Sequence, residues 1–68
     1  MTQAKKSVVD SALAWSRTDP NRVLWVMGKI RHQWKIAPSV EQRDWLLKNG
    51  FEIFYVITNG EITVDNAK

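Results

Sequence analysis

Asn59-Gly60 lies between two apolar-alternating runs and is the strongest local constraint in the chain. Both residues accept the positive φ angles of a type I′ turn, which joins two strands through two residues. The pattern therefore predicts a β-hairpin over residues 51–64. Counting back from the turn sets Thr58 opposite Glu61, Ile57 opposite Ile62, Val56 opposite Thr63 and Tyr55 opposite Val64. With strict alternation, Phe51, Ile53, Tyr55, Ile57, Ile62 and Val64 share one apolar face, expected to meet the core. Phe54 and Val56 then fall on the outer face with Glu52, Thr58, Glu61 and Thr63. Residues 65–68 read as a frayed tail.

A hairpin alone is not a stable body, so the remaining residues must cover its apolar face. With 68 residues there is room for one domain and one core, and the expectation is a single domain over 1–68. Chains this short usually add disulfides, a metal or a partner. No cysteine is present, so disulfides and thiolate metal sites are excluded. A single histidine, His32, makes a zinc site implausible, and no cofactor is expected. The four tryptophans, Trp15, Trp25, Trp34 and Trp45, are expected mostly in the core.

Upstream, Val8, Ala12 and Trp15 recur at helical spacing, with Val9 and Leu13 beside them. They predict a helix from Gln3 or Ser7 to Ser16. Thr18-Asp19-Pro20 then reads as a second helix start, with Asp19 as N-cap and Pro20 in the first turn. On a helical wheel from Arg22 to Trp34, Val23, Val26, Met27, Ile30 and Trp34 gather on one side. The favoured reading is a helix from about 20 to 34. A rival exists, because Val23-Leu24-Trp25-Val26-Met27 is rich in strand formers and Gly28-Lys29 suits a tight turn. Gly28 would also cost a helix about 1 kcal/mol relative to alanine.

Further on, Pro38 breaks the chain, and Ser39 with Gln42 forms a capping box for a helix ending at Asn49. Gly50 is placed for a left-handed C-terminal residue, with Phe51 folding back onto Leu46. The expected fold is thus α+β, three helices followed by a C-terminal antiparallel hairpin. The alternative order is αββαββ, with residues 22–36 as a hairpin.

For catalysis the chain offers little. No nucleophile motif frames a serine near His32, and the three glycines are too scattered to cradle phosphate. A non-enzymatic regulatory or binding module is expected. Net charge is +3, but residues 17–35 hold five cations against Asp19, giving +4 there and about −1 elsewhere. Arg22, Trp25, Lys29, Arg31, His32 and Lys35 combine cations with an aromatic, the chemistry that contacts nucleic acid. The layout is similar to that of a winged helix-turn-helix, with 39–49 as recognition helix and 51–64 as wing. Glu41, Asp44 and the Glu61 tip oppose that use, since phosphate calls for cations. The alternative function is a protein-interaction adaptor or inhibitor module, docking through Phe54 and Val56 or pairing as a homodimer.

No segment approaches membrane-spanning length, and the N-terminus has no apolar run behind Lys5-Lys6. A cytoplasmic protein without membrane contact is the expectation.

Overall fold

The computed structural model describes residues 5–29 and 33–66, with side chains from residue 6 onward. The element order is α1 (Lys5–Thr18), β1 (Leu24–Lys29), β2 (Gln33–Ala37), α2 (Val40–Lys48), β3 (Glu52–Thr58) and β4 (Glu61–Asp65). The strands form one antiparallel sheet in the order β2-β1-β3-β4. The fold is α+β, but the three-helix order is wrong. Residues 24–29 and 33–37 pair as antiparallel strands, the element order of the alternative, but Gly28 and Lys29, read as its turn, lie within β1.

The reason is burial on both faces of β1. Leu24 and Val26 pack with Val8, Ala12, Tyr55 and Ile57 under α1. Met27, with Trp25 beside it, packs with Ala37, Leu46 and Phe51 under α2. A strand covered on both sides reads as a continuous apolar run rather than an alternating one. The helical wheel over 22–34 divides that run just as neatly, so periodicity alone could not decide. Asp19-Pro20 closes α1 instead of opening a helix. The Asp19 amide donates to Trp15 O at 3.1 Å, and the Arg22 amide donates to Asp19 O at 3.1 Å.

α1 thus buries Val8, Ala12 and Ser16, spaced four apart, and leaves Trp15 largely outside. None of the four tryptophans is fully buried. Trp25 and Trp34 are half-buried, whereas Trp15 and Trp45 are exposed. A thin three-layer body of this size leaves no interior wide enough to enclose an indole on all sides.

α2 starts and stops as its sequence requires. Ser39 is the extended N-cap, and its hydroxyl accepts from the Gln42 amide at 3.2 Å. Gly50 takes φ +91°, with Gly50 N donating to Leu47 O and Phe51 N to Leu46 O. That bond pair is the Schellman stop, and Phe51 and Leu46 share one cluster as expected. Val40 and Leu47 are exposed; Leu46 is the buried anchor.

The Asn59-Gly60 turn has φ +52° and +74°, the positive values of type I′. Thr58 faces Glu61 and Ile57 faces Ile62, as counted from the turn. Beyond them a bulge at Thr63 shifts the register, so Val56 faces Val64 and Tyr55 faces Asp65. A second irregularity in β3 puts Ile53, rather than Phe54, opposite Met27. Each extra residue turns the following side chains to the other face. The predicted single core face is therefore divided: Tyr55 and Ile57 lie under α1, while Ile53 lies under α2.

One buried polar contact ties the turn to the first helix. Ser16 is fully buried, and its hydroxyl accepts the Gly60 amide at 2.8 Å. Ser16→Ala would leave that amide unpaired, which costs about 1–3 kcal/mol. Thermal unfolding monitored by circular dichroism should show a fall of roughly 5–15 °C. An unchanged midpoint would mean that solvent replaces the hydroxyl.

Candidate interaction surface

Two features place the candidate surface. The first is a row of residues in direct register across the sheet: Ala37, Trp25, Val56 and Val64. All four project on the α2 side, because Trp25 and Ala37 belong to the α2 cluster. The second is the reach of α2, which packs on β1, β2 and β3 but makes no contact with β4. Exposure accordingly rises along the row. Ala37 is fully buried, Trp25 and Val56 are half-buried, and Val64 is 43% exposed.

One flank of α2 extends this strip. Val40, 49% exposed, lines an open cleft of about 470 Å³ with Val23, Trp25, Pro38 and the polar rim Asp19, Arg22 and Ser39. The Arg43 guanidinium lies over the Trp25 ring at 5.0 Å and also binds Asp44 at 2.9 Å. Its charge is thereby engaged, and its plane caps one side of the indole. Leu47 shares that flank of the helix. Trp45, 59% exposed, lies on the opposite flank, beside Glu41 and Gln42.

The protein-docking pair expected from sequence is separated. Val56 stays on the α2 side, facing Trp25. The bulge carries Phe54 to the α1 side, where its ring meets Trp34 edge-on at 4.9 Å. Val64, missed by the sequence reading, takes the place beside Val56. Only the bulge at Thr63 puts it there, and no composition signal marks that bulge.

The basic segment is dispersed. Arg22 donates to Asp19 at 2.8 Å and to Pro38 O at 2.9 Å, bracing the α1–β1 loop against the β2–α2 loop. Lys29 ends β1 at the far end of the sheet, with Nζ 5.6 Å from the Phe51 ring centre. From Arg22 to Lys29 is about 23 Å along an extended strand. Trp25 is half-buried beneath Arg43. Lys35 is exposed on β2, two positions from Gln33, which faces Lys29, so the two lysines share one face. Arg31 and His32 lie outside the described residues.

Among the described residues no three His, Cys, Asp or Glu side chains group as metal ligands, and no helix is long and apolar enough to cross a membrane. Comparison with protein-family models, curated proteins and solved structures gives no match to this chain. The surface must therefore be read from its own chemistry.

Proposed function

We propose that this domain is a non-catalytic protein-interaction module that docks through the uncovered part of its α2-side sheet face. The observation that carries this reading is the row Trp25, Val56 and Val64, apolar in every position and open toward β4. Apolar side chains in a contiguous strip, with the Arg43 guanidinium over Trp25 at its border, match the plan of an interface core with a polar border. The clefts beside it are open and shallow, which suits a flat partner better than a small substrate.

The experiment is immobilisation of the domain, capture from its own cell extract, and comparison with Val64→Glu. Val64 is exposed, so the substitution should leave the circular dichroism spectrum unchanged. It should lower capture of a specific partner at least tenfold, and amide shifts on partner addition should map to Trp25, Val56 and Val64. Equal capture by the variant, or shifts confined elsewhere, overturns the reading.

A second reading, nucleic-acid contact, rests on two cations of the basic segment that share a face among the described residues. Lys29 and Lys35 share a face at the β1–β2 end, and Arg31 and His32 lie between them in sequence. A fluorescence titration with duplex and single-stranded DNA at two salt concentrations separates it from the first. Binding that weakens steeply with salt supports this reading, and no binding at low salt removes it.

A further inference from the structure

The two outer strands of the sheet differ in charge. β4 carries two carboxylates, Glu61 and Asp65, and no cation. β2 carries Lys35 and no carboxylate. The strands also run in opposite directions, because two strands lie between them and every neighbouring pair is antiparallel. If the sheet continues sideways into another copy without turning over, β4 meets the next β2 antiparallel, with like faces on the same side. Strands related this way can form an ordinary ladder.

The β4 edge is shaped to accept such a strand. Thr58 and Glu61 are the closing pair of a two-residue hairpin, so they bond to each other and the Ile62 peptide groups point outward. The bulged Thr63 does not obstruct that edge. Its hydroxyl donates to Val56 O at 3.1 Å, back onto β3. Glu61 and Lys35 both lie on the α2 side by strand parity, so a neighbour's lysine comes beside this carboxylate. Pairing β4 with β4, or β2 with β2, offers no opposite charges.

Helix placement fits the same occupant. One copy spans four strands, about 19 Å at the usual strand spacing. Two α2 helices that far apart leave a trough about one helix wide. Its floor is Val56 and Val64, and one wall is the Val40 and Leu47 flank. The other wall would be the neighbour's opposite flank, which carries the exposed Trp45. We infer that the occupant of the apolar strip is a second copy of this chain, joined head to tail by β4 of one copy and β2 of the next. The inference rests on the docking reading above and names its partner.

Sedimentation of the full chain over a concentration series, at low and high salt, tests it. At low salt the average mass should rise past that of a dimer, since unlike edges do not close on themselves in pairs. It should fall at high salt, where the edge charges are screened. Lys35→Glu and Glu61→Lys should each hold the chain monomeric at concentrations where the parent assembles. An equimolar mixture of the two should restore assembly, because each then offers the edge the other lacks. A chain that stays monomeric throughout overturns the inference, as does a dimer indifferent to both substitutions or a mixture no better than its parts. If the chain is monomeric yet Val64→Glu still abolishes capture of another protein, only the self-pairing falls.

Discussion

Gly28→Val is expected to lower the unfolding midpoint by roughly 10–20 °C, close to loss of the fold at physiological temperature. A Cβ at Gly28 would sit 2.6 Å from Trp34 Cζ3 and 2.9 Å from two other ring atoms. The indole lies flat on the bare backbone of its cross-strand partner, which is why glycine occupies a central strand. An exposed ring could swing aside cheaply, but Trp34 is half-buried and held edge-on by Phe54. Overpacking of this kind costs about 1–3 kcal/mol, against the fraction of a kcal/mol that valine gains in a strand. At this chain length each kcal/mol moves the midpoint by about 4–8 °C. Gly28→Ala makes the sharper comparison. In a helix it would stabilise by about 1 kcal/mol, whereas beneath the Trp34 ring it should destabilise. A double-mutant cycle with Trp34→Leu should recover part of the loss, and strict additivity would show that the ring is not the cause.

Ile57→Ala is the second large effect, expected to cost about 2–5 kcal/mol. Ile57 is fully buried between α1 and the sheet, facing Leu24 on one side and Ile62 on the other. Domains of this size hold roughly 3–10 kcal/mol in total, so urea unfolding should begin at or near zero denaturant. Ile62→Ala provides the control. It faces Ile57 across the ladder but is 41% exposed, and should cost under about 1 kcal/mol. Equal losses at the two positions would contradict the coverage of β3 by α1 and the openness of β4.

These positions also show how far the sequence could be read. Ile57 and Ile62 are indistinguishable in an alternating pattern, and both fell on the expected core face. The difference is that Ile57 sits in an inner strand and Ile62 in an outer one. Strand order depends on which segments pair at long range, and local spacing carries no record of it. Phe54 and Val56 fall on opposite faces for a related reason. A bulge adds one residue to one strand, and its location reflects how the twisted sheet fits its helices rather than any fixed residue type. Dispersal of the basic segment followed directly from the wrong element. On a helix Arg22, Lys29 and Trp25 would line one stripe, but Arg22 lies in the loop before β1 and Lys29 ends that strand.

What the sequence determined by itself is the set of features decided within a few residues. The Asn59-Gly60 turn, the Ser39 N-cap with its bond from the Gln42 amide, and the Gly50 stop formed as read, because each depends on local backbone geometry and local hydrogen bonds. Tertiary structure alone decided the state of residues 24–29 and 33–37. Their apolar run satisfies helix and strand periods equally, and only two helices, one on each side of the sheet, make the strand the better burial. It also decided what the hairpin presents. Its turn is pinned to Ser16, and its outer strand leaves Val64 uncovered beside Trp25 and Val56, because α2 is too short and too far across the sheet to reach it.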